Sequence, residues 1–221
     1  MLRNKNFISF DFETSSANAE TCQILEIGSC AIDRNSLSIK DRFHSLVCPE
    51  VPSEVEEGAL KVNGLKMEDL LKAPDIVTTF NLWAEWIKKY NINKNKNSFG
   101  APVPIHFNGG NFDMPIFKRY CKRFNYWDKK WNSQTLLDPI HSIDISNHMW
   151  LWLRENPDLT NFKLTTILEY MGIDASEIKN SAHGAVWDSE KTAEIAIKLI
   201  KRIKALQVGK NPIVLKNCLR K

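Results

Sequence analysis

Asp11 and Glu13 alternate with aromatic residues in Phe7-Ile8-Ser9-Phe10-Asp11-Phe12-Glu13. The run reads as a β-strand near the start of the fold. Side chains two residues apart share one face of a strand, so both acids project together while Phe10 and Phe12 anchor the other face in a core. Neighbouring carboxylates repel each other in an apolar setting, and a hard divalent cation removes that penalty by binding both. The alternative is an edge strand whose polar face meets water. A second acid, Asp113, closes Asn108-Gly109-Gly110-Asn111-Phe112-Asp113. That segment follows a strand and opens a helix, and its paired glycines permit close backbone approach. Asp113 falls at the helix N-terminus, where a carboxylate is favoured; read alone, it is a plain N-cap after a tight turn. A third cluster is His183-Gly184-Ala185-Val186-Trp187-Asp188. A helix beginning near Ala185 places Asp188 in its first turns and His183 just ahead of it. A lone loop histidine is ordinarily a surface residue; here it stands five residues from an acid.

The elements that must position these groups follow from periodicity and punctuation. Three strands open the chain at Asn6–Glu13, Ile24–Asp33 and Leu37–Leu46, with Asp33-Arg34-Asn35-Ser36 as a hairpin connection. Asp75 caps a helix running to about Tyr90, whose Ile76, Phe80, Trp83, Ile87 and Tyr90 form one apolar stripe. The polar run 92–98 reads as an exposed loop. Val103–Phe107 is a buried strand, followed by a helix from near Asp113 to about Phe124. A loop holding Trp127 and Trp131 leads to a helical stretch from Leu136 to Arg154, broken by Asn156-Pro157. Asp144 within it reads as a surface acid. Leu164–Met171 and Ser189–Leu206 are the last helices. Strands come first and helices dominate later, which predicts an α/β fold: a mixed sheet flanked by helices, in a single domain. The domain is expected over 1–207, with a basic tail at 208–221.

Taken together, an acid pair on the first strand, an acid after an Asn-Gly turn and a late His-x4-Asp resemble the DEDDh family of 3′–5′ exonucleases. This family includes polymerase proofreading subunits and ribonuclease-T-like enzymes. The Asn-Gly-x-x-aromatic-Asp-x-Pro form is most similar to the three-prime repair exonuclease branch. Ile24-Leu25-Glu26-Ile27-Gly28, Val62-Asn63-Gly64-Leu65 and Phe162-Lys163-Leu164 are supporting matches, and the resemblance spans about residues 6 to 200. Gly184 stands where the tyrosine branch carries its Tyr, so the histidine branch is the match. The resemblance implies a ribonuclease-H-like, five-stranded mixed sheet. It implies hydrolysis of single-stranded DNA or RNA from the 3′ end to nucleoside 5′-monophosphates, with two Mg²⁺ or Mn²⁺ ions. Asp11, Glu13, Asp113 and Asp188 are the implied metal ligands and His183 the base that accepts the water's proton. Phe12, Thr14, Asn108 and Phe112 are the implied substrate contacts: the backbone after Phe12 and the Thr14 region face the terminal sugar, while the Phe12 side chain belongs to the core. Phe112 and Trp187 could stack on bases, although helix packing explains both. The alternatives are a ribonuclease-H-type endonuclease, which has no need of the His-x4-Asp arrangement, and a non-catalytic nucleic-acid-binding or scaffold domain of the same fold.

Composition agrees with a globular domain: 221 residues, 43% hydrophobic and 25% charged. No apolar run is long enough to span a bilayer, and the N-terminus leads into a strand rather than a signal-peptide stretch, so a cytoplasmic protein is expected. Cys22, Cys30, Cys48, Cys121 and Cys218 are odd in number and contain no Cys-x-x-Cys pair, which suggests neither a disulfide framework nor a zinc site. The net charge of +4 decides little by itself. Basic clusters at 118–123, 129–130, 198–204 and 210–221 could attract phosphate, or could be solvated helix faces. No pattern in the sequence supports a homodimer or a polymerase partner.

Overall fold

The acid pair is set by the central strand of a five-stranded sheet. A computed structural model of the chain describes residues 5–93, 97–174 and 184–208. Strand β1 (Phe7–Thr14) pairs antiparallel with β2 (Ile24–Ile32), which pairs antiparallel with β3 (Ile39–Leu46). On its other side β1 pairs parallel with β4 (Val103–His106), and β4 pairs parallel with β7 (Ile143–Asp144). The order is β3-β2-β1-β4-β7, the mixed α/β sheet expected from the sequence.

Period-two alternation assigns the two faces. Ile8, Phe10 and Phe12 point into a core with Phe80, Trp83 and Phe117. Those last three lie on α3 (Ile76–Lys88) and α4 (Asp113–Arg123). The opposite face packs Cys30, Ile32 and Ile105 against α5 (Ile145–Leu153), α6 (Leu164–Tyr170) and α7 (Ala185–Val208). Two short helices, α1 (Glu57–Asn63) and α2 (Met67–Leu70), fill the β3–α3 connection. A small hairpin, β5 (Trp127–Asp128) with β6 (Ser133–Gln134), occupies the region read as a loop.

Local chemistry accounts for most of the boundaries. Asp33 Oδ1 accepts from the amides of Asn35 (3.0 Å) and Ser36 (2.8 Å), which folds the β2–β3 turn. Leu37 sits at φ 47°, so β3 starts at Ile39 rather than Leu37. The Thr78 amide donates to Asp75 Oδ1 at 2.9 Å, the cap that starts α3. Ile76, Phe80, Trp83 and Ile87 are buried as the stripe requires. Tyr90 lies past the helix end, and its hydroxyl donates to Asp41 on β3 at 2.7 Å.

The stretch Leu136–Arg154 is corrected: only Ile145–Leu153 is helical, and Ile143–Asp144 is the fifth strand. A strand of two residues leaves no alternation to read. It forms because β4 offers a free edge, to which Ile143 and Asp144 pair at Ile105 and His106. Asp144 is no idle surface acid. It caps α5 by accepting from the Ser146 amide at 3.0 Å, and it also accepts from the Asn108 amide at 3.0 Å. Of the polar run 92–98, residues 94–96 lie outside the described residues, as does the expected tail past Val208. Among the described cysteines, Cys22, Cys30, Cys48 and Cys121 are free thiols.

At Gly28 the first turn of helix α7 meets the sheet backbone to backbone. A Cβ placed on Gly28 would lie 2.0 Å from the Ala185 carbonyl carbon and 2.2 Å from the Val186 nitrogen. Both atoms are backbone, so the helix would have to move. Gly28→Ala is therefore expected to destabilise the protein by about 1–3 kcal/mol, the usual cost of overpacking. An unchanged melting temperature would show that α7 can shift freely.

Candidate active site

Asp11 and Glu13 leave β1 on the face covered by α7, as their spacing requires. Asp188, in the first turn of α7, points back at them. One carboxylate oxygen from each of Asp11, Glu13 and Asp188 lies within 4.8 Å of the others. Two acids of one strand and a third from 175 residues further along therefore share one point, where strand and helix meet.

Asp113 stands beside this cluster and is turned differently. It is the first residue of α4, after a 3-10 turn at Gly109–Asn111. It is not a simple N-cap, because its Oδ1 accepts the Phe12 amide across the chain at 3.2 Å. Phe12 is buried with its ring in the aromatic core, so only its backbone faces the acids. Thr14 is buried too. Its hydroxyl donates to the Ser16 carbonyl at 2.9 Å, and its own carbonyl accepts from Asn63 Nδ2 at 3.1 Å. Asn108 holds a left-handed conformation at φ 57°, pinned by Asp144, and lines the cavity in front of the acids. Phe112 packs against the aromatic core and Trp187 against the opposite one. His183 lies outside the described residues.

Two contributors escaped the reading of the sequence. Glu26, opposite Glu13 in the β1–β2 register, is buried. It bonds His44 Nε2 on β3 at 2.8 Å and accepts the Ala185 amide at 3.3 Å. It thus ties the first residue of α7 to the sheet. Its signal was an acid inside the apolar run Ile24-Leu25-Glu26-Ile27. Asp144 is the other: with His106 Nδ1 3.4 Å away and the Asn108 amide bound, it fixes the loop that leads to Asp113. The basic cluster at 118–123 is largely engaged internally: Arg119 donates to the Cys22 carbonyl, Arg123 pairs with Glu50, and Lys122 sits 4.6 Å over the Trp127 ring.

The electrostatics ask for a cation. Burial, then the charges of Asp113, Asp188, Glu13 and Glu26, push the Asp11 carboxyl well above its ordinary range. Burial, then Asp188, Glu26 and Asp113, raise Glu13 to about 8. Burial also raises Asp113, to about 7, even though the Phe12 amide and His106 act against it. Buried oxygens that cannot all ionise unaided, with no sulfur among them, fit a hard divalent cation.

The chain matches the profile of an exonuclease family, that of RNase T, over residues 8–196. It is 26% identical over 202 residues to the PolC-type DNA polymerase III of Caldanaerobacter subterraneus subsp. tengcongensis, covering 91% of this chain and 12% of that protein. The PolC-type enzyme of Bacillus subtilis strain 168 is 22% identical with the same coverage. The chain thus spans about an eighth of the length of these relatives. Among solved structures, the nuclease domain of 3′hExo, a DEDDh family member bound to rAMP, is similar with a TM-score of 0.64 and 18% identity, over 90% of this chain and 93% of that one. An E. coli ExoI–ssDNA complex in its zinc-bound form is similar with a TM-score of 0.68 and 16% identity, over 91% of this chain and 42% of that one. The ribonuclease-H-like exonuclease fold follows.

The raised carboxyls fix the sign of a pH effect. A carboxyl whose folded pKa exceeds its unfolded value stabilises the fold below the unfolded pKa, and that stability is lost as pH rises through the folded pKa. For Glu13 the window runs from its ordinary 4.5 to about 8. Metal-free protein should therefore melt lower at pH 8 than at pH 5, by about 2–4 °C for each kcal/mol lost. Mg²⁺ or Mn²⁺ at a hundredfold over its dissociation constant should restore about 2.7 kcal/mol at pH 8. A melting temperature indifferent to both pH and metal would contradict the cluster's electrostatics.

Proposed function

Since the chain belongs to the RNase T exonuclease family, we propose that it removes nucleotides from the 3′ end of single-stranded DNA or RNA and releases nucleoside 5′-monophosphates. The observation that carries this reading is the convergence of Asp11, Glu13 and Asp188 within 4.8 Å. Both reference chemistries recur among the similar structures: one of those proteins was solved with rAMP and another with single-stranded DNA.

In this reading Asp11, Glu13, Asp113 and Asp188 would hold two Mg²⁺ or Mn²⁺ ions. When bound, such a pair polarises the phosphate, lowers the pKa of a water and stabilises the leaving oxygen. The rest falls to the protein's own groups. Asp113 keeps one oxygen on the Phe12 amide, which fixes its other oxygen relative to β1. Glu26 secures the start of α7 and so the position of Asp188. His183 directly precedes Gly184 at the foot of α7 and accepts the proton of the attacking water. The water's oxygen bonds to phosphorus, the bond from phosphorus to the upstream 3′ oxygen breaks, and that oxygen takes a proton from solvent water to become the new terminal hydroxyl. The terminal nucleotide lies against the end of β1, near the backbone after Phe12 and near Thr14.

A 5′-labelled oligonucleotide incubated with Mg²⁺ should give a ladder shortening from the 3′ end, abolished by EDTA and by Asp188→Ala. Discrete internal cuts would favour a ribonuclease-H-type endonuclease, and no turnover with any divalent metal would favour a binding domain. Parallel DNA and RNA substrates identify the preferred sugar.

The base has its own test. With an ordinary histidine pKa near 6.5, the wild-type rate should rise with pH through that value. His183→Ala should lose about 10²–10⁴-fold and lose that limb of the profile, while keeping its melting temperature. A variant that unfolds would make His183 structural.

A further inference from the structure

A cavity of about 570 Å³ has Asp11 and Asp188 in its lining. It reaches the C-terminal end of β4 at Phe107 and Asn108, α5, and the start of α6, and Thr14 is not among its lining residues. The lining also carries Trp150, Phe162 and Lys163. On α5, Ile145, Met149 and Leu153 are buried while Trp150, Leu151 and Trp152 are exposed; of these three Trp150 lines the cavity, 51% exposed, with Arg154 5.7 Å from its ring. The rest of the lining is uncharged, with polar Asn108, Ser146 and Asn147 beside apolar Phe107 and Leu164. Asp11 and Asp188 are its only carboxylates among the described residues, and Lys163 its only cation.

That combination of acids, uncharged polar groups, an exposed aromatic ring and one ammonium suits a strand rather than a mononucleotide. Once the carboxylates are neutralised by metal, a phosphodiester at the acids has polar groups for its sugar, an exposed aromatic face for a base and an ammonium for the next phosphate. Base stacking on aromatic side chains tolerates any sequence, because every base has a π-face. We propose that Trp150 and Lys163 form a subsite for the nucleotide on the 5′ side of the scissile phosphate, its base stacked on the indole and its own 5′-phosphate at the ammonium. This rests on the exonuclease reading above and extends it: the enzyme grips the strand it keeps as well as the residue it removes. The Asp144 side chain holds the two walls together, since it caps α5 and binds the Asn108 amide.

The test compares two substrates under Mn²⁺. A tetranucleotide offers the upstream nucleotide; the p-nitrophenyl ester of thymidine 5′-monophosphate offers only the terminal one. Trp150→Ala should lower the tetranucleotide-to-ester ratio of kcat/KM by about 5- to 150-fold, equivalent to about 1–3 kcal/mol, chiefly through KM on the tetranucleotide. Trp150→Phe should recover most of that loss. Trp152→Ala is the control: it lies two residues along, is also half-exposed, and lines a separate apolar groove with Ile143 and Ile203. It should leave the ratio unchanged. Lys163→Ala should reduce the slope of log affinity against log salt by about 0.7, one phosphate contact on a single strand. A ratio unmoved by Trp150→Ala, or an equal loss on both substrates, overturns the subsite while the exonuclease reading stands. Wild-type protein that hydrolyses neither substrate overturns that reading, and the subsite with it.

Discussion

Five carboxylates crowd the junction of β1, β2, α4 and α7, and their mutual repulsion is the constraint around which this part of the fold is organised. They are not equivalent. Asp113 is supported by the Phe12 amide, and Glu26 by His44 and the Ala185 amide. The Phe12 amide favours the ionised form of Asp113 and offsets part of the cost of its burial. For Asp11 and Glu13, burial and the surrounding acids push the same way. Glu26 serves the frame through the start of α7, while Asp113 stays raised despite its bond and remains with the acids of the cluster. The unsupported pair, joined by Asp188, marks the place where positive charge has to arrive from outside the protein. Held apart from such charge, the cluster costs stability; with it, the same geometry becomes a binding site.

Keeping like charges at contact distance requires a frame that does not relax. The parallel pairing of β1 with β4 and the antiparallel pairing with β2 fix the direction in which Asp11 and Glu13 point. On the far face Phe10 and Phe12 interlock with Trp83 at ring-centroid distances of 5.6 Å and 5.5 Å, so β1 cannot roll. From above, α7 rests on Gly28 backbone to backbone, and Arg42 of β3 pairs with Glu190 one turn along the helix. The latter pair is half-exposed and contributes little energy; the Gly28 contact, which no side chain cushions, sets the height of Asp188 above the sheet.

How legible this was depended on the range of the interaction. The alternation of Ile8, Phe10 and Phe12 with Asp11 and Glu13 put both acids on one face before any coordinates, because a strand has only two faces. Asp75 and the stripe Ile76-Phe80-Trp83-Ile87 marked α3 for the same local reason. The family resemblance supplied what periodicity could not, namely that Asp113 and Asp188 converge on the first strand, and the geometry brings Asp188 to contact range. Strand β7 was misread as helix because two residues carry no period and pair only where β4 leaves an edge. The roles of Glu26 and Asp144 were hidden because their partners, His44, Ala185, His106 and Asn108, come from other elements. A buried acid in an apolar strand was the visible hint for Glu26; for Asp144 it was the cap-forming Asp-x-Ser at 144–146.

The acids that converge here all lie within residues 8–196, the span matched by the exonuclease family. The wider matches, over 202 and 201 residues, correspond to 12% of each of two PolC-type relatives, whose remaining length has no counterpart in the match. The acids that would hold a cation thus come from the sheet, α4 and α7. The walls of the cavity come from different sources: the acids from strand and helix backbone held by both cores, Trp150 and Lys163 from the α5 surface and the start of α6. Strand β7 and the Asp144 cap join them, so the two-residue strand that is weakest in sequence carries the connection between the chemistry and the surface along which a substrate strand would lie.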